Sequence, residues 1–135
     1  MNSELTEVER QQLLSAATEA LASAYAPYSQ FRVGAAILTN KGKIYQGCNV
    51  ENASYGLSMC AERNAIANAI IAEGQDTIEI KAIAVANSQK VPCSPCGACR
   101  QVIWEFGQEV EVIFWGNQGW QTSTIKNLLP AGFAL

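Results

Sequence analysis

Between Thr6 and Tyr25, Leu14, Ala17, Leu21 and Ala24 recur every three or four positions, the spacing of one helix face. Thr6 and Glu9 at its start read as a capping box, and Pro27 ends it. The period then changes. Phe31, Val33, Ala35 and Ile37 alternate with other residues, as in a strand, and Asn40-Lys41-Gly42 turns the chain into a second strand, Lys43–Cys48.

A second helix is expected from Cys60 to about Ala72, where alanines interleave with Ile66, Ile70 and Ile71. Ile78–Ala86 is a nearly continuous apolar run with one lysine, the pattern of a strand covered on both faces. Pro95, at a first-turn position, opens a third helix to about Phe106, with Val102, Ile103 and Phe106 on one side. Glu109–Trp115 alternates as a fourth strand. Gly116-Asn117-Gln118-Gly119 is too short for a crossover, so a strand at Trp120–Ser123 is expected antiparallel to it. Thr124–Leu129 reads as a last short helix. This order predicts one α/β domain over residues 1–135, a three-layer α/β/α arrangement around a mixed five-stranded sheet. The two cysteine-bearing helices should then start on the same side of the sheet.

Composition narrows the function. Hydrophobic residues are 49 % and charged residues 16 %, which supports a real core and weakly suggests surface covered by partner subunits. The net charge of −3, with no Lys/Arg cluster, argues against a polynucleotide partner. There is no histidine, which excludes a His base, a Ser-His-Asp triad and a His metal ligand. Met1-Asn2-Ser3-Glu4 does not open a secretory signal, and no apolar run approaches the ~18 residues of a membrane span. A cytoplasmic chain is expected, with Cys48, Cys60, Cys93, Cys96 and Cys99 as free thiols.

In that setting clustered cysteines suggest a metal or catalysis. Cys96 and Cys99 are three apart at a helix start, so their sulfurs share a direction, and Cys60 begins the other helix. Helix N-termini favour thiolates. Three thiolates can fill three corners of a zinc tetrahedron, leaving the fourth for water, which is the catalytic pattern. Glu62, two residues from Cys60, is then a carboxylate beside that water. Cys60-x-Glu62 with Pro95-Cys96-x-x-Cys99 is the signature of zinc deaminases.

The chain resembles the cytidine deaminase family over nearly its whole length. The likeness runs through Phe31-Arg32-Val33-Gly34-Ala35-Ala36, Gly47-Cys48-Asn49-Val50-Glu51-Asn52-Ala53 and Cys60-Ala61-Glu62-Arg63. It continues through Ser94-Pro95-Cys96-Gly97-Ala98-Cys99-Arg100-Gln101-Val102 and Leu128-Leu129-Pro130. The resemblance implies one zinc ion per subunit on Cys60, Cys96 and Cys99, with Glu62 as the proton shuttle. It implies that Asn49 and Glu51 hydrogen-bond the ribose, that Phe31 lies beside the pyrimidine, and that Ala61 belongs to the substrate-binding set. Ala53, Tyr55 and Phe133 would reach a neighbouring subunit's pocket in a homotetramer, and Arg63 would donate to ligand thiolates. The implied reaction is hydrolytic deamination of free cytidine and 2'-deoxycytidine in pyrimidine salvage, with no nucleic acid or membrane partner.

Zinc on three thiolates carries a net −1 and acidifies water less than a three-His site does. Arg63 and the helix N-termini can withdraw charge from the sulfurs, and Glu62 can take the water's proton to ring N3 and then pass the second proton to the departing amine. Other readings remain at this point. Cys93 could close a structural four-cysteine site, or Cys93-x-x-Cys96-x-x-Cys99 could start an iron–sulfur run. The same zinc chemistry could serve a polynucleotide editor or a deaminase of a related small molecule such as blasticidin S.

Overall fold

In the first central strand, Ala35 and Ile37 face one side and Ala36 and Leu38 the other, and all four are buried. A strand buried on both faces needs a layer on each, which dictates the architecture. The structure, a computed structural model, describes residues 4–135. Met1-Asn2-Ser3, part of the segment weighed above as a signal, lie outside the described residues.

The chain order is α1 (Glu7–Ala20), β1 (Val33–Thr39), β2 (Ile44–Cys48), α2 (Ala61–Glu73), β3 (Ile80–Asn87), α3 (Gly97–Trp104), β4 (Glu111–Gly116), β5 (Gly119–Thr124) and α4 (Ile125–Leu128). The five strands lie in the order β2-β1-β3-β4-β5. β1 is antiparallel to β2 and β3, β3 is parallel to β4, and β4 is antiparallel to β5. The sheet is therefore mixed, as expected.

The helices divide unequally. Ala61, Ala65 and Ile66 of α2, Ile103 of α3 and Ile125 of α4 pack with Ala35, Ile37, Ile83, Val85 and Val112 on one face. Leu13 and Ala17 of α1 cover Ala36, Leu38, Ala82, Ala84 and Ile113 on the other. Glycine lets the layers approach: a Cβ on Gly34 would stand 2.2 Å from the Ala17 carbonyl oxygen of α1. The parallel β3–β4 pair requires a crossover, and α3 provides it on the same face as α2. Both cysteine-bearing helices consequently start on one side of the sheet.

Several boundaries differ from the sequence reading. α1 stops at Ala20 and tightens into a 3-10 turn at Leu21–Ser23, instead of running to Tyr25. Its inward stripe uses Leu13 rather than Leu14, with Ala17 and Ala20. Tyr25 instead joins the irregular extension of β2, its amide donating to the Asn49 carbonyl and its own carbonyl accepting from Glu51. Pro95 does not occupy the first turn of α3: Cys96 is the N-cap, so the proline sits before the cap and shapes the approach to it. Cys48 is half-buried. Trp115 and Trp120 stack across the β4–β5 hairpin with ring centroids 4.8 Å apart. Among the described residues no helix is long and apolar enough to cross a membrane.

Candidate active site

α2 and α3 each begin at a cysteine. Cys60 and Cys96 are N-cap residues with extended backbone, and neither side chain caps its own helix. Cys99 follows one turn into α3, buried completely. The three Sγ atoms lie within 4.8 Å of one another. Thiolates that each stand about 2.3 Å from one zinc ion must be this close, so the donor set fits zinc. Cys93 is not part of this group. It lines the neighbouring cavity, where burial, ahead of the nearby Glu62 and Cys96, pushes its thiol up and keeps it neutral. Among the described residues no fourth cysteine joins these three as a donor.

The helix starts leave backbone N–H groups and the positive dipole end beside the sulfurs. Arg63 adds a full charge, its Nη2 donating to Cys60 Sγ at 3.3 Å. The neighbouring Cys99 thiol, and next Arg63, pull the Cys60 thiol down to about 5, while Cys60 and burial push Cys99 up.

Glu62 lies in the first turn of α2 and is only 5 % exposed. Burial, and next the negative charge at Cys60, push its carboxyl up to about 7. A carboxyl held there can accept a proton near neutral pH and return it, the property of a general acid–base.

A cavity of about 350 Å³ opens in front of these groups, at the small end for small-molecule sites. Cys60, Ala61, Glu62 and Cys96 line its inner end, and Asn49, Glu51 and Tyr55 also line it. Asn49 and Glu51, two apart in extended chain, project to one side, and Val50 between them is 42 % exposed. Both side chains are held by backbone. Asn49 Oδ1 accepts from the Val33 amide at 2.9 Å, and Asn49 Nδ2 donates to the Phe31 carbonyl at 2.9 Å. Glu51 Oε1 accepts from the Tyr28 and Ser29 amides at 3.0 and 3.1 Å, and Oε2 accepts from the Ser29 hydroxyl. The Ser29 hydroxyl, then the two amides, hold the Glu51 carboxyl below its ordinary range. Each side chain keeps further capacity for a ligand hydroxyl.

Phe31, Ala53, Arg63 and Phe133 do not line this cavity. Phe31 contributes its carbonyl to Asn49, Ala53 is exposed, and Phe133 is 66 % exposed with its carbonyl bound by Gln101 Nε2. Tyr55 lies at the rim, 86 % exposed. Sequence reasoning missed Ser29 and Tyr28, the clamps on Glu51, and Arg100. Arg100 reaches the Pro95 carbonyl at 2.7 Å, Ser94 Oγ at 2.8 Å and the Leu128 carbonyl at 2.9 Å, bracing the loop that delivers Cys96. The signal for Arg100 was its place in the cysteine motif.

Residues 7–115 match the family model described as the cytidine and deoxycytidylate deaminase zinc-binding region. The cytidine deaminase of Halalkalibacterium halodurans is 45 % identical over 128 residues, 93 % of this chain and 95 % of the relative. The crystal structure of cytidine deaminase from Burkholderia pseudomallei superposes with a TM-score of 0.83 at 48 % identity, covering 91 % of this chain and 98 % of that one. That from Mycobacterium tuberculosis superposes with a TM-score of 0.81 at 38 % identity, covering 96 % and 100 %. This chain belongs to the cytidine and deoxycytidylate deaminase family.

Proposed function

We propose that this chain is a zinc-dependent hydrolase that converts free cytidine and 2'-deoxycytidine to uridine and 2'-deoxyuridine, releasing ammonia. The observation that carries it is the convergence of Cys60, Cys96 and Cys99 at two helix starts, with Cys60, Cys96 and buried Glu62 lining one cavity. Cys60, Cys96 and Cys99 would hold the zinc ion, which when bound would supply an acidified water.

The residues perform the rest. Glu62 accepts a proton from the attacking water, delivers it to ring N3, and passes the second proton to the amine as it leaves. Its burial keeps that carboxyl exchangeable near neutral pH. Arg63 offsets the negative charge of the sulfurs. Asn49 and Glu51, preset by Val33, Phe31, Tyr28 and Ser29, hold the sugar hydroxyls at the other end. That orients the ring before reaction.

A free nucleoside suits this chain better than a polynucleotide. The net charge is −3, and β4 turns directly into β5 between Gly116 and Gly119, a short link that by family resemblance goes with the free-nucleoside branch. The whole chain acts as one deaminase domain, in the cytoplasm, in pyrimidine salvage. Exposed apolar side chains support a homotetramer: Tyr55 at the cavity rim, with Leu57 and Phe133 away from it, are 86 %, 67 % and 66 % exposed, which suits contact with a neighbouring subunit.

Ultraviolet absorbance tests the substrate class. Zinc-loaded protein should remove the absorbance band of cytidine and of deoxycytidine while leaving a cytosine-containing oligonucleotide and blasticidin S unchanged. Turnover of the oligonucleotide or of blasticidin S alone would overturn the reading.

A further inference from the structure

The first turn of α2 carries both Glu62 and the Cys60 cap, so whatever fixes that turn over the sheet fixes both groups. β2 is an edge strand, and its outward carbonyls need partners. α2 supplies two. Asn64 Nδ2 donates to the Cys48 carbonyl at 2.8 Å, and Asn68 Nδ2 donates to the Gln46 carbonyl at 2.8 Å. Four helical residues rise about 6 Å and two strand residues about 6.6 Å, so asparagines one turn apart meet alternate carbonyls. Between those carbonyls lies Gly47. A Cβ there would stand 2.5 Å from the Ala61 carbonyl oxygen and 2.3 Å from the Ala65 amide, so helix backbone rests directly on strand backbone.

The two asparagines are not equivalent. The Asn64 amide donates to the Cys60 carbonyl at 3.3 Å, the bond that joins the cap to the helix, while Asn68 lies one turn farther on. Cys48 in turn leads directly into Asn49 and Glu51. We propose that Asn64 is a positioning residue for the deamination, tying the turn that bears Cys60 and Glu62 to the strand end that presents Asn49 and Glu51. Asn64 thereby sets the distance between the reacting end of the cavity and its sugar end. This inference rests on the deaminase reading above.

Asn64→Ala and Asn68→Ala each lose a 2.8 Å bond to a β2 carbonyl, partly buried at Asn64 and exposed at Asn68, so a merely structural role predicts a larger stability loss at Asn64 with kcat unchanged in both. Positioning predicts a split. Whatever the stability losses, kcat on cytidine should fall about tenfold in Asn64→Ala with KM within about twofold, and stay at the wild-type value in Asn68→Ala. With Co²⁺ in place of zinc, the thiolate-to-metal absorption bands should shift in Asn64→Ala and overlay wild type in Asn68→Ala. Asn64→Gln, which keeps the donor, should recover most of kcat. If Asn64→Ala does not fold, Asn64→Asp carries the comparison, because it keeps the size and loses the donor. Equal kcat in the Asn64 and Asn68 variants, with superimposable cobalt spectra, would overturn the proposal. Wild-type protein inert toward cytidine would overturn the deaminase reading instead, and the cobalt comparison would still decide on Asn64.

Discussion

Arg63 Nη2 donates to Cys60 Sγ at 3.3 Å, pairing a guanidinium with a thiolate at the first turn of α2. The Arg63 Nε, by contrast, is buried with no hydrogen-bond partner among the described residues. The side chain therefore supports the sulfur cluster without completing its own bonding, and removing it costs the metal site more than the fold. Arg63→Ala should lower zinc affinity by about 10–100-fold, as loss of a partner to a ligand commonly does. Its melting temperature should stay within a few degrees of wild type. Competition with a chromogenic chelator measures the first and calorimetry the second.

Glu51 acts as a fixed acceptor at the far end of the cavity, held by Ser29 through both its amide and its hydroxyl. Ser29→Ala removes the hydroxyl bond to Oε2 and loosens the carboxylate, which the Tyr28 and Ser29 amides then hold by Oε1 alone. A group that grips the sugar equally before and during reaction affects binding alone. Ser29→Ala should raise KM for cytidine several-fold with kcat within about twofold, as steady-state kinetics would report.

Gly47 and Gly97 provide a matched test of close packing. Alanine at Gly47 would drive a Cβ to 2.3 Å from the Ala65 amide, backbone that cannot swing aside. Gly97→Ala meets nothing within 4 Å at the start of α3. The first substitution should cost about 2–3 kcal/mol by overpacking, and the second should be neutral or stabilise by up to about 1 kcal/mol. Urea unfolding of the two variants measures the difference.

The pH dependence of stability should include a contribution from Glu9. Its carboxyl is held below the ordinary value by the Thr6 amide and then by Lys81, whose Nζ stands 2.9 Å from it. A folded-state value below the unfolded one stabilises above the unfolded pKa and is lost as pH falls through the folded one. Glu9→Ala should thus cost about 1–2 kcal/mol at pH 7, with the gap closing below about pH 4. A constant gap across that range would contradict the linkage.

Local patterns carried much of this molecule. The change from helical spacing to alternation at Phe31 located the hairpin, and the short Gly116–Gly119 link set β5 antiparallel to β4. The metal cluster was legible because Cys96 and Cys99 are one helical turn apart and Cys60 precedes an alanine-rich helical run. Helix ends were less legible. The apolar spacing through Leu21 and Ala24 continues past the point where α1 tightens, since the chain there turns to pair Tyr25 with Asn49 and Glu51. Ser29 and Asn64 left no signal either. Their partners, Glu51 and the Cys48 carbonyl, are 22 and 16 positions away, and no periodicity records a side chain bonded across the fold.

Zinc content and cytidine turnover of Glu62→Ala, measured side by side with wild type, test the assignment of proton transfer to Glu62 most directly. Under the proposed function Glu62 carries the protons but is not one of the three cysteines, so the variant should keep one zinc ion per chain while kcat falls by about a thousandfold or more. Wild-type turnover in a zinc-loaded Glu62→Ala protein would contradict it.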